Sequence, residues 1–304
     1  MIPVLDFHDW ERDPNGFADA LGAACRGPGF LLLKGHGVPE ALITRVFEQA
    51  AALFALPAKA KDALSIYRSP HNRGYAALGS ESLDDTSEQV DQKEAFNIGL
   101  DLAEDDPRVR AGEPFRGVNF WPDLPGFKED LLDYFNAVWS LGVALHRPIA
   151  RDLRLPEGYF GPHFTAPMAT LRLLHYPAGS PQEAIGAGAH TDYGSVTLLA
   201  TDGVAGLQVQ PRGSEEWVDV PHVEGAFVVN IGDCLMRWTN DIYISNPHRV
   251  IPPQRERFSV AFFLDPNPDS VIQALPGTGA AKYPPVTGAE YLMGRLTATY
   301  AEDA

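Results

Sequence analysis

The run Gly188-Ala189-His190-Thr191-Asp192-Tyr193-Gly194 places an imidazole and a carboxylate two residues apart. On extended backbone, residues i and i+2 point to the same face, so both side chains can reach one ion. Alone the pair is a weak signal, close to what chance gives in a chain with this many His and Asp residues, and a salt-bridged pair explains it as well. A third candidate ligand lies downstream in Asn246-Pro247-His248-Arg249-Val250, at the edge of a strand. Two imidazoles and one carboxylate can occupy one face of an iron(II) ion and leave the opposite face open to a cosubstrate and O2. Zinc accepts the same ligands, so the three residues by themselves leave the metal open.

The choice rests on what else lines the pocket. In Arg257-Phe258-Ser259-Val260-Ala261-Phe262-Phe263-Leu264, period-two alternation puts Arg257, Ser259, Ala261 and Phe263 on one face of a strand. A guanidinium opening so apolar a strand is costly to bury unless a carboxylate meets it. That carboxylate is either an internal Asp or Glu or one on a bound molecule, for which a guanidinium beside a hydroxyl is well suited.

These residues need a scaffold, and its pattern changes along the chain. Up to about residue 160 the pattern is mainly helical. Pro39 opens a helix whose apolar face holds Leu42, Val46 and Leu53, and a long helix runs from about Phe127 to Leu153. Gly29 to Gly35 brackets a short buried strand. The polar, glycine-containing segment from Ser69 to Asp91 reads as a long loop, either a lid or a surface excursion. From Met168 onward short strands follow one another, with candidates at 170–176, 195–200, 207–210, 217–220, 226–231 and 258–264, which suggests a sandwich or barrel. A C-terminal helix completes the chain from about Gly288 to Tyr300.

The expectation is an α+β chain forming a single domain over residues 1–304. It comprises a mainly helical N-terminal region (1–160), a jelly-roll catalytic core (168–285) and a C-terminal helix (286–304).

Composition narrows the partners. A net charge of −16 argues against an electrostatic grip on nucleic acid or an anionic membrane surface. No apolar run is long enough to span a bilayer, and the N-terminus does not read as a signal peptide. Cys25 and Cys234 are the two cysteines and lack metal-site spacing. A cytoplasmic protein acting on a small molecule is the expectation, and nothing in the sequence sets an oligomeric state.

Taken in order, His-x-Asp, a distant His, and Arg-x-Ser nine residues after it resemble the isopenicillin N synthase-like branch of the iron(II)/2-oxoglutarate-dependent oxygenases. The likeness extends through Ile2-Pro3-Val4-Leu5-Asp6, Gly35-His36-Gly37-Val38, Gly206-Leu207-Gln208-Val209 and Val229-Asn230-Ile231-Gly232-Asp233. It implies a distorted double-stranded β-helix, or jelly roll, with Fe(2+) held by His190, Asp192 and His248. It also implies that Arg257 and Ser259 hold the distal carboxylate of 2-oxoglutarate, with Tyr176 supporting it.

The implied reaction couples oxidative decarboxylation of 2-oxoglutarate by O2, giving succinate and CO2, to oxidation of a small organic molecule, hydroxylation by default. An oxidase of the same family that uses no 2-oxoglutarate, and a non-catalytic ligand-binding member, are the alternatives. Leu174 departs from the pattern, since many plant members carry Asn there. Arg172, on the same strand face, is a possible replacement that could meet a second carboxylate, and a structural salt bridge explains it equally. Arg73 and Tyr75 in the long loop are candidates for substrate contact.

Among the other histidines, His222 with Glu224 forms a rival metal pair, for which a solvated loop is the simpler account. His36 and His175 read as structural, and Asp233 as a turn residue.

Overall fold

In the computed structural model, residues 1–83, 90–179 and 184–300 are described, with side chains as far as residue 297. Twelve strands position the site: β1 (Val4–Asp6), β2 (Phe30–Lys34), β3 (Gly74–Ala76), β4 (Glu94–Gly99), β5 (Thr170–Tyr176), β6 (Ala187–His190), β7 (Val196–Thr201), β8 (Leu207–Val209), β9 (Val218–Asp219), β10 (Phe227–Ile231), β11 (His248–Val250) and β12 (Arg257–Leu264). Eight of them form one sheet in the order β1-β2-β10-β7-β12-β5-β4-β3, and β6-β11-β8-β9 form a second.

Strand alternation divides the apolar residues between two layers. On β12, Val260, Phe262 and Leu264 join the large core beneath the helix Phe127–Asp152, where Phe262 meets Phe135 edge-to-face at 5.1 Å. Ala261 on the opposite face joins a smaller cluster with Leu174 and Ala95 of the large sheet and Leu207, Val209 and Val250 of the small one. The two sheets therefore face each other, as in a jelly roll, and the face that holds Arg257 and Ser259 is the interior one.

The helical N-terminal region is present, with the helices Pro14–Arg26, Glu40–Phe54 and Phe127–Asp152, but it is not all helix, since it also contributes β1 to β4 to the large sheet. The segment Ser69 to Asp91 is likewise not all loop, since β3 lies within it; its residues 84–89 fall outside those described, as do 180–183 and 301–304. All six residues of β4 are buried, so no polar alternation marks it, and β3 is only three residues long.

Tyr75 is a second correction. It pairs with Phe96 across β3 and β4, on the face turned away from the cavity, and its hydroxyl donates to Glu94. Glu94 also accepts from Lys61 Nζ at 2.7 Å and lies 2.7 Å from His175 Nδ1. Burial opposes ionisation, but the hydrogen bonds from His175, Lys61 and Tyr75 outweigh it and bring the Glu94 carboxyl down to about 2.

A carboxylate depressed in the folded state adds stability that is complete above its unfolded value near 4.5 and disappears as pH falls toward 2. Glu94→Gln is therefore expected to cost on the order of 2–3 kcal/mol at neutral pH. Denaturant midpoints measured from pH 7 downward check this, with the wild-type advantage shrinking below about pH 4.5. A gap that stays constant with pH would contradict it.

Candidate active site

The cavity between the two sheets is lined by His190, Asp192 and His248 together with Arg257, Ser259 and Tyr176. The triad is assembled by register. His248 of β11 pairs directly with His190 of β6, and the two rings stand 4.3 Å apart at their centroids. Asp192 follows β6 by two residues, and its Oδ1 lies 3.9 Å from His190 Nε2 and 3.6 Å from His248 Nε2.

Each ligand is oriented by a neighbour. Asp192 Oδ2 accepts from Thr197 Oγ1 at 2.6 Å and from Asn230 Nδ2 at 2.7 Å, which leaves Oδ1 facing the imidazoles. His190 Nδ1 lies 2.7 Å from the Gly188 carbonyl. Only a protonated Nδ1 can donate there, so Nε2 keeps its lone pair for a metal. Burial and the adjacent His248 push the His190 imidazole well below its ordinary pKa, which keeps it neutral. Burial works against ionisation of Asp192, but His248, His190, Asn230 and Thr197 together hold its pKa below the usual carboxylate value. A carboxylate oxygen facing two imidazole nitrogens is a donor set that fits a divalent cation.

The loop carrying Asp192 is fastened from behind. Backbone donors at the start of the helix Asp233–Trp238 bind it, Asp233 N to the Asp192 carbonyl at 2.7 Å and Cys234 N to the Gly194 carbonyl at 3.1 Å. Gly232 permits that approach, because a Cβ there would lie 2.2 Å from the Gly194 carbonyl oxygen. Asp233 opens this helix, accepts from Thr191 Oγ1 and pairs with Arg295 at 2.9 Å.

Arg257 is 1 % exposed, and no Asp or Glu among the described residues pairs with it. Its Nε donates to the Val204 carbonyl at 3.2 Å, its Nη1 to Ser259 Oγ at 3.3 Å, and its guanidinium lies 4.8 Å from the Tyr176 ring centre. Tyr176 is its direct cross-strand partner. The internal ion pair that the sequence left open is thus absent among the described residues, and the buried charge faces the cavity.

Arg172 differs. It also lines the cavity, but it forms an ion pair with Glu81, which lies 3.3 Å from Lys93 Nζ as well. Arg73 reaches the cavity, whereas Tyr75 does not. His222 contacts Thr201 at 3.3 Å and takes no part in the metal cluster, while His36 lies 3.2 Å from the Gly225 carbonyl and His175 sits with Glu94 and Glu256. The sequence alone does not single out Thr197 or Asn230: the one signal for Asn230 is its place in the Val-Asn-Ile-Gly-Asp run, and Thr197 has none.

This geometry agrees with comparisons to known proteins. Residues 167–266 match the family model of the 2OG-Fe(II) oxygenase superfamily, and residues 2–124 match that of the N-terminal region of the non-haem dioxygenase in morphine synthesis. The 2-oxoglutarate-Fe(II) type oxidoreductase hxnY of Emericella nidulans is 38 % identical over 98 % of this chain and 90 % of its own. The chain belongs to the 2-oxoglutarate/iron(II) oxygenase superfamily.

Two solved structures share the fold over nearly the whole length. A Neurospora crassa protein crystallised in complex with α-ketoglutarate and thymine has a TM-score of 0.86 at 34 % identity, covering 98 % of this chain and 97 % of its own. A 2OG-Fe(II) oxygenase family protein from Caulobacter crescentus has a TM-score of 0.87 at 31 % identity, covering 98 % of both chains. The double-stranded β-helix is accordingly the family core, and the chain is an iron(II)/2-oxoglutarate-dependent dioxygenase that uses O2. No helix among the described residues is long and apolar enough to cross a membrane.

Proposed function

We propose that His190, Asp192 and His248 hold the iron, that Arg257, Ser259 and Tyr176 hold the distal carboxylate of 2-oxoglutarate, and that the rest of the cavity hydroxylates a small organic molecule. The observation that carries this reading is a shared interior. A convergent two-His, one-carboxylate cluster and a buried guanidinium with no acidic partner among the described residues line the same cavity.

When bound, iron(II) supplies the redox chemistry by which O2 decarboxylates 2-oxoglutarate to succinate and CO2 and oxidises the substrate. In hydroxylation one oxygen atom enters succinate and the other replaces a substrate C–H with C–OH. The protein's part is placement. Arg257 offers a charge-assisted fork to a carboxylate, and Ser259 adds a hydroxyl beside it. Thr197 and Asn230 fix Asp192 so that one oxygen stays available to the ion. Leu174, Leu207, Val250 and Phe263 give the cavity apolar walls that limit water. The thymine bound to the Neurospora crassa protein supports a substrate of similarly small size here.

The test is stoichiometry. Purified protein with iron(II), 2-oxoglutarate and a panel of amino acids, nucleobases, small acids and phenolic acids is expected to form one succinate per O2 consumed with the compound that accelerates turnover. Oxygen uptake without succinate would refute the reading.

A further inference from the structure

The inner face of the barrel has two ends, and the strand register separates them. At one end Arg257 faces Tyr176. Six residues further along β12, Phe263 is level with Thr197 on β7 and with Thr170 on β5, and Thr170 is level with Gly99 on β4. That second row, roughly 20 Å along the strand from the first, contains the Thr197 that orients Asp192. It ends where the Arg73 guanidinium rests. A Cβ on Gly99 would lie 1.9 Å from Arg73 Nη2 and 2.1 Å from its Cζ, so the bare glycine makes the space that the guanidinium fills.

Arg73 is 2 % exposed, lines the cavity, and has no hydrogen-bond partner for its Nε among the described residues. Among the described residues its Nη2 reaches only the Phe115 carbonyl, at 3.5 Å. No carboxylate among the described residues pairs with it, and the charge that acts on it is a second cation, Arg116. Burial first, and Arg116 second, lower its pKa to about 10, which leaves it charged at neutral pH.

The other cations of the cavity are accounted for. Lys93 pairs with Asp91 and Glu81, Arg172 pairs with Glu81, and Arg257 faces the carboxylate of 2-oxoglutarate in the reading above. A buried guanidinium held open to a cavity and repelled by its neighbour favours an anion supplied from outside, and a carboxylate matches its fork. Phe115, Met168 and Phe263, which line the cavity too, offer apolar surface to the remainder of such a molecule.

We infer that Arg73 is a second anion receptor and that the compound this enzyme oxidises is a small organic acid, its carboxylate on Arg73 and its apolar body extending toward the metal ligands. The inference rests on the oxygenase reading of the same cavity, and its test separates the two.

Protein held under nitrogen with iron(II) and saturating 2-oxoglutarate, so that the Arg257 end is filled, is titrated calorimetrically with benzoate, phenylacetate and hexanoate, each against its carboxamide. Acids are expected to bind about ten- to hundredfold more tightly than their amides. Arg73→Leu should lose that preference and Arg73→Lys should keep part of it. Equal binding of acids and amides, no binding of any acid in the panel, or an undiminished preference in Arg73→Leu would each overturn the inference. If Arg73→Leu does not fold, as judged by thermal unfolding, Arg73→Gln and the wild-type acid-to-amide ratio decide. Succinate formation by the wild-type protein in air is measured separately; its absence counts against the oxygenase reading alone.

Discussion

Asp192→Ala is expected to abolish iron-dependent 2-oxoglutarate turnover, a loss of at least about a hundredfold, with iron binding falling alongside it. The magnitude follows from the geometry of the cluster. Asp192 contributes the only carboxylate among the three converging ligands, and it supplies the negative charge that offsets the cation's own. Losing a group that merely orients a metal ligand typically costs about 10- to 100-fold in affinity or activity, so losing the ligand itself should cost at least as much.

The replacement also leaves the Thr197 hydroxyl and the Asn230 amide, at 2.6 and 2.7 Å from Asp192 Oδ2, without their acceptor. Thr197→Val is the graded counterpart, removing one hydrogen bond to Oδ2 while keeping the ligand, and it should fall between wild type and Asp192→Ala. His190→Ala should match Asp192→Ala. Iron per chain, succinate formed and the melting temperature of the metal-free proteins are the measurements. Near-normal turnover in both alanine variants would sink the assignment of the metal site.

The parts of this site that could be read from sequence are those whose chemistry is local. His190 and Asp192 share a face because of a two-residue step, and Arg257 and Ser259 share one for the same reason, so period-two geometry was sufficient. The strand Thr170–Tyr176 and the helix Gly288–Tyr300 were legible from apolar runs bounded by turn residues.

What could not be read depends on contacts between distant segments. Nothing in the sequence around Thr197 says that its hydroxyl will meet Asp192, since the meeting is made by the β7 register and the turn after β6. Glu81 as the partner of Arg172 is separated from it by 91 positions, and only the fold closes that distance. Tyr75 failed for a smaller reason. Its neighbour Arg73 does line the cavity, and an unbroken strand would put both on one face. Gly74 between them has φ +108°, however, so the alternation does not carry across and Tyr75 turns toward Glu94. The loss of β4 from the sequence reading follows from its burial on both faces, which erases the polar half of the pattern.

Arg257→Ala should raise the 2-oxoglutarate concentration needed for half-maximal turnover by about 10- to 100-fold, while leaving iron binding close to wild type. A hydrogen bond to a charged group is worth about 1.5–3 kcal/mol, and each 1.4 kcal/mol is a factor of ten. The low end applies if Ser259 and Tyr176 retain part of the carboxylate's binding, and the high end if the fork supplies most of it. The split between parameters is the diagnostic feature. Arg257 lies at the opposite end of β12 from Phe263, the residue level with Thr197, so its removal should act on cosubstrate affinity and spare the metal ligands.

Arg257→Lys separates charge from shape. Lysine keeps the positive charge but not the planar fork, and its defect should lie between those of wild type and alanine. Ser259→Ala, which removes the hydroxyl 3.3 Å from Arg257 Nη1, should give a smaller rise than Arg257→Ala. The checks are succinate formation against 2-oxoglutarate concentration and iron content in parallel. An unchanged 2-oxoglutarate requirement in Arg257→Ala would remove the cosubstrate from this end of the barrel. The buried guanidinium would then have to serve a carboxylate of the substrate, which is the arrangement an oxidase without 2-oxoglutarate would need.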